Sequence, residues 1–208
     1  MPHQLLNSKK EIRKQLLDKL EIGAVPLKDI LRLSQMELLV LYEIFFEFFF
    51  GVKVSFSAKL LSADHDFIVC VPSDKILPSE IVYQKMEDFF MVDGDIELDK
   101  FNGRRSYTMD KNYILRTSIA SKEIHSEKYV KNRHSQLVTF LEAQIIWLFY
   151  HWLTGLKLDQ DTMIVTRSLD SRDNYMILDC LNSKVCSCNF ATFGDLSLFR
   201  TREIICKY

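Results

Sequence analysis

The spacing of apolar residues changes along this chain, and each change predicts a different element. Near the start, Ile12, Leu16, Leu17 and Leu20 recur on one side of a 3.6-residue repeat, the mark of an amphipathic helix. Ser8-Lys-Lys-Glu11 ahead of them fits a capping box, and Gly23 can supply the left-handed stop. Pro26 suits the first turn of a short helix through Leu33. A second capping box, Ser34-Gln-Met-Glu37, opens a helix to about Phe50. Here the pattern stops being one-sided. Leu38–Phe50 reads LLVLYEIFFEFFF, apolar apart from Glu43 and Glu47, and Gly51 closes it.

After Gly51 the period falls to two. Val52, Val54, Phe56 and Ala58 alternate with Lys53, Ser55, Ser57 and Lys59, predicting a strand with one buried face. Phe67–Val71 is the expected partner strand, with a turn at Ser62–His65 between them. Pro78 begins a predicted helix to about Phe90, with Ile81, Met86, Phe89 and Phe90 available to pack. Asn102-Gly103 between Ile96–Phe101 and Arg104–Met109 is a strong hairpin signal. Asp110-Lys-Asn then turns into a strand Tyr113–Ile119. One long helix is predicted next, polar and basic from Lys122 to His134 and increasingly apolar to Leu153. It contains the second block, Ile145–Leu153 (IIWLFYHWL), and Gly155 closes it. Strands return at Met163–Thr166, Tyr175–Leu181, Val185–Phe190 and Ile204–Cys206, punctuated by Asp170–Asn174 and Asn182-Ser183. This order lacks the βαβ alternation of a parallel sheet. It predicts a single α+β domain over residues 1–208, with helices on an antiparallel sheet and an N-terminal helical part over 1–51.

Composition narrows the function. With 27 basic and 28 acidic residues the net charge is −1, without the basic excess that a nucleic-acid-binding domain carries. Neither apolar block reaches the ~18–20 residues of a spanning helix, and Glu43 and Glu47 would be costly in hydrocarbon. The opening residues lack the basic-then-apolar order of a signal peptide. Five cysteines (Cys70, Cys180, Cys186, Cys188, Cys206) are an odd number in a chain that needs no staples, so they read as reduced thiols. A cytoplasmic protein without a transmembrane segment is expected.

The two blocks admit two explanations. They can be central helices buried on all sides. Alternatively, part of their surface is a groove or interface completed by a partner, because aromatic side chains concentrate at interface cores. On the second explanation Phe45, Phe46, Phe49, Trp147 and Trp152 are the candidate partner-binding residues.

Other constellations carry less. Cys180, Cys186 and Cys188 are spaced C-x5-C-x-C, without the paired C-x2-C loops of a zinc site. In a strand, Cys186 and Cys188 share a face and can pack as small hydrophobes. Asp64-His65-Asp66 and Asp93-Gly-Asp95 fit turn chemistry, and no EF-hand spacing accompanies them. His151 has no nucleophile motif beside it and is expected as a hydrogen-bonded core or interface residue. Lys128, Lys131, Arg133 and His134 form a basic cluster, either solvated or a dock for an acidic segment. No phosphate-binding glycine loop is present. Neither a catalytic residue nor a cofactor or metal site is expected.

The opening MPHQLLNSKKEIRKQLLDKL and the paired blocks VLYEIFFEFFFG and IIWLFYHWLTG, in an α+β frame of this length, resemble the LvgA family of adaptors from the Legionella Dot/Icm type IV secretion system. The resemblance covers the whole chain and carries over no individual binding residue. It implies a non-enzymatic adaptor or chaperone bound to the C-terminal segment of the coupling ATPase. There it would work beside small adaptor proteins, presenting effector proteins for export from the cytoplasmic side of the inner membrane. The alternatives are a small enzyme using the Cys-rich strands and His151, or a homo-oligomeric phage or mobile-element protein.

Overall fold

Two sheets share one set of helices in the computed structural model, which describes residues 2–21, 32–57, 67–93, 110–189 and 196–207. In chain order these hold α1 (Pro2–Glu21), α2 (Gln35–Phe50), β1 (Phe67–Val71), α3 (Ser79–Glu87), β2 (Met91–Val92), β3 (Tyr113–Thr117) and β4 (Lys122–Glu123). There follow α4 (Glu127–Arg133), α5 (Phe140–Thr154), β5 (Met163–Leu169), β6 (Tyr175–Asp179), β7 (Lys184–Cys188), β8 (Phe199–Thr201) and β9 (Ile204–Lys207). A three-stranded antiparallel sheet has the order β1-β3-β9, and a six-stranded one the order β2-β7-β6-β5-β8-β4. The second is antiparallel except where β2 runs parallel to β7 and β5 to β8. The fold is α+β, as the order of elements predicts.

The helix ends are set by local chemistry. Ser34 accepts from the Glu37 amide while the Glu37 carboxylate accepts from the Ser34 amide, and Gly51 ends α2 with φ +69°. Thr139 and Glu142 form the same reciprocal cap on α5, which Gly155 ends with φ +70°. Glycine alone occupies that left-handed region without a Cβ penalty.

Three sequence expectations are corrected. Ser8 is not a cap, because α1 begins at Pro2, where a proline's missing N–H costs nothing. Residues 52–57 alternate in burial as expected but pair with no strand among the described residues, and Phe67–Val71 pairs with β3. The reason lies in Phe56, whose N–H donates to Glu43 and whose carbonyl accepts from Lys9 Nζ, so side chains replace the ladder. The helix expected from Lys122 to Leu153 is broken. Ser126 caps the short α4, a 3₁₀ turn follows, and Leu137–Val138 is drawn out by backbone bonds. Val138 N–H donates to the Arg202 carbonyl and its own carbonyl accepts from Arg167. Gly23, Pro26, the turn at Ser62–His65, Asp64–Asp66, Asp95 and the hairpin about Asn102-Gly103 lie outside the described residues.

The larger core fills the space between α2, α5 and both sheets. The smaller packs Ile124, Val130, Leu137 and Phe199 against Val165, Ile177 and Cys188. The chain crosses from one sheet to the other at Arg202-Glu203. Arg202 pairs with Asp159, while Glu203 accepts from Lys122 (2.7 Å), Tyr129 (2.6 Å) and Arg133 (3.2 Å). This junction stitches β4, α4 and β8. It was not legible beforehand, since Arg202-Glu203 closes the polar stretch Arg200-Thr201-Arg202-Glu203 and the partners of both lie far away in sequence.

Candidate functional site

The two aromatic helices meet along their middle turns. Tyr42 stacks on Phe149 with ring centroids 3.8 Å apart, and Phe45 meets the same ring edge-on at 5.5 Å. Glu43 and Glu47, the two polar breaks in α2, face α1, where Lys9 and Arg13 neutralise them. Glu142 on α5 is wholly buried. One of its oxygens accepts from the Thr139 amide and the other from Tyr113 Oη at 3.0 Å. Gln144 is also buried, and its side-chain amide meets no hydrogen-bond partner among the described residues.

The structure therefore divides the five candidate aromatics. Phe45 and Phe46 are sealed in the core. Trp147, 2% exposed, packs on Phe89 and Phe90 and donates its indole N–H to the Leu158 carbonyl. These three offer no surface, because α5 and Phe56 cover Phe45 and Phe46, and Phe89 and Phe90 cover Trp147. Phe49 and Trp152 remain partly buried at the last turns, both against Phe45, at 5.3 and 5.5 Å.

Around those last turns the apolar surface continues. Phe48 is 67% exposed, Met91 64% and Leu156 57%, with Leu181 also open. Ring contacts and hydrogen bonds run between the elements that carry Phe49, Trp152, Met91 and Leu156. Lys85 lies over the Phe49 ring at 5.9 Å, and Phe89 meets both Trp147 and His151. His151 stacks on Trp147 at 5.2 Å and its Nδ1 lies 3.2 Å from the Leu156 carbonyl oxygen. Next to Leu156, Lys157 reaches Ser183, whose carbonyl accepts from the Met91 amide. The C-terminal ends of α2 and α5, the end of α3 and the turn after β6 thus share one apolar margin. A helix terminus cannot continue its own stripe, so side chains there are covered only by another element or by a partner.

Sequence patterning found Phe49 and Trp152 as members of the blocks and His151 as a hydrogen-bonded residue. It did not single out Phe48, Met91 or Leu156. The available signal was a weak one: each lies within a few residues of a helix end or a turn.

The described titratable groups are placed for structure. Burial pushes the Cys70 and Cys180 thiols well up, Cys188 to about 12 and Cys186 to about 11, which keeps them protonated and weakly nucleophilic. Cys186 and Cys188 both pack in the smaller core, as side chains two apart in a strand should. Burial alone would raise Glu203, but hydrogen bonds from Lys122 and Tyr129 hold its carboxyl below the usual range. In the basic cluster Lys131 pairs with Glu127 and Arg133 with Glu203. Burial lowers His134, with Arg167 adding to the effect. Among the described residues, no helix is long and apolar enough to cross a membrane, and no three His, Cys, Asp or Glu side chains converge as metal ligands. The chain matches no protein-family model, no curated protein and no solved structure.

Proposed function

We propose that this chain is a non-enzymatic adaptor that binds a partner through the apolar margin at the C-terminal ends of α2 and α5. The observation that carries this reading is the change along each helix, from aromatic side chains sealed in the core to Phe48, Phe49, Trp152 and Leu156 left open or half open. Large apolar side chains held on rigid helices form anchor points at little entropic cost, which is how binding energy concentrates at interfaces. The protonated, packed thiols and the fully engaged Glu142 and Glu203 support a binding role over a catalytic one.

The resemblance in the opening segment and the two aromatic blocks supplies the finer reading. The partner is the C-terminal segment of a type IV secretion coupling ATPase, held together with small adaptor proteins, and the cargo is effector proteins at the cytoplasmic face of the inner membrane. A helical segment suits the surface, because its anchors would sit between two helix ends.

Calorimetric titration of the chain with the isolated C-terminal segment of the coupling ATPase from the same organism tests this. Saturable binding is expected, weakened at least tenfold in Trp152→Ala, whose thermal midpoint falls only slightly, and in the exposed Phe48→Ala. Absence of binding contradicts the adaptor reading. Binding that is indifferent to Trp152, Phe48 and Leu156 moves the surface elsewhere.

A further inference from the structure

A second helix-binding site is already occupied, by the chain's own first helix. Of the side chains described in α1, Leu16 is buried and Ile12, Leu17 and Leu20 are half-buried, while the exposed positions are charged or polar. Two ion pairs set its register on α2: Lys9 Nζ to Glu43 Oε1 at 2.7 Å, and Arg13 to Glu47 at 2.5 Å. The cations are four residues apart and so are the carboxylates, so each pair is separated by about 6 Å of helix rise. Lys9 pairing with the earlier carboxylate means that the two helices run in the same direction here. A parallel pair cannot be joined by a tight turn, and residues 22–34 form the connection.

The same ion pair also holds residues 51–57. Glu43 accepts from the Phe56 amide at 2.9 Å, and Lys9 donates to the Phe56 carbonyl at 3.0 Å. The groove is thus lined by α2 and by this extended segment, with the Glu43 and Glu47 carboxylates at its edge. Among its described side chains, α1 is held by buried Leu16, half-buried Ile12, Leu17 and Leu20 and two part-buried ion pairs. That is a lighter attachment than that of the sealed α5, and one expected to open before the core does.

The geometry points to an exchangeable docking site: the groove that α1 occupies binds an amphipathic partner helix bearing two cations four residues apart beside an aliphatic stripe, and α1 is its internal competitor. The occupant is defined by charge complementarity to Glu43 and Glu47 and by the spacing of Ile12, Leu16 and Leu20. This site is independent of the apolar margin at the helix ends, and neither needs the other.

The test uses the full chain and a labelled synthetic peptide with the sequence of residues 2–21. Native-state hydrogen exchange should show α1 amides exchanging at least tenfold faster than those of α5. The peptide should bind the K9E/R13E chain about fivefold more tightly than the original, since its own α1 is weakened by the loss of two partly buried ion pairs. It should not bind E43K/E47K, whereas a peptide carrying Glu at both cationic positions should. Leu16→Ala weakens α1 without touching charge and should also strengthen peptide binding, which covers the case in which K9E/R13E does not fold. Exchange of α1 at the same rate as α5 overturns the proposal. So does failure of both weakened variants to bind the peptide, or binding indifferent to the charges at residues 43 and 47. A stable dimer of the original chain with exchanged first helices and no peptide binding would make the occupant a second copy, and would overturn the partner-helix assignment.

Discussion

In their middle turns α2 and α5 hold Tyr42, Phe45, Phe46 and Phe149 without measurable solvent contact, while in their last turns equally apolar side chains emerge. Composition does not distinguish the two regions. Length does for α2, which at 16 residues spans about 24 Å, whereas the five-residue strands β1 and β3 run about 17 Å. α2 outruns β1, the strand it packs on, and carries Phe48 and Phe49 in its last turns. By contrast α5, at 15 residues, matches the seven-residue β5 in length and leaves the Trp152 side of its last turn partly open. An apolar helix is therefore core where another element covers it and open surface where none does.

The largest expected effect lies in the middle turns. Phe149→Ala removes the ring on which Tyr42 stacks and should cost ~3–5 kcal/mol, read from urea midpoints, because the packed surroundings cannot collapse into the space. A loss below ~1 kcal/mol would mean that this region is not the packed centre. Glu142→Ala should follow at ~3 kcal/mol. It leaves the Thr139 amide and the buried Tyr113 hydroxyl without this acceptor, which the same denaturation measurement would reveal. At the helix ends, Gly51→Ala and Gly155→Ala should each cost ~1 kcal/mol. A Cβ would meet nothing within 4 Å at either glycine, so the positive φ alone sets the cost. Unchanged midpoints in both would show that the termini relax out of the left-handed conformation.

Those glycines were legible from sequence, as was the Ser34–Glu37 box, because caps depend on residues three or four apart. The pairing of Val52–Ser57 was not. Its alternation correctly gives the inward residues, but a ladder needs a free neighbouring strand, and Lys9 and Glu43 had already taken the backbone groups of Phe56. The break at Leu137–Val138 escaped for a similar reason, since bonds to Arg167 and Arg202 outweigh local helix preference. Of the candidate site, the blocks themselves were visible. Which aromatics emerge from them was not, because that depends on which elements distant in sequence cover each face.

Acid sharpens the contrast from outside both regions. Burial would raise the Asp170 carboxyl, but bonds from Asn174, Ser187 and Arg172 prevail and bring it to about 2. Its folded value lies below the unfolded one of roughly 4. The stability it contributes is therefore complete above pH ~4 and is lost as pH falls toward 2. The β5–β6 turn should loosen over that window while the α2–α5 stack persists. Asp170→Asn should flatten the dependence, measured by amide exchange in residues 169–175. The smallest effect among the aromatic positions belongs to the helix ends: Phe49→Ala and Trp152→Ala should each cost no more than ~1–2 kcal/mol, since both rings already meet water. Losses matching Phe149→Ala would place them in the core.

The chain's two tryptophans sit on either side of this divide, which makes fluorescence quenching the most direct test. In Trp152→Phe the remaining Trp147 should emit at short wavelength and resist acrylamide. In Trp147→Phe the remaining Trp152 should emit to the red and be quenched several-fold more efficiently. Equal quenching of the two, or a shielded Trp152, would contradict the claim that the aromatic surplus leaves the core at the ends of these helices.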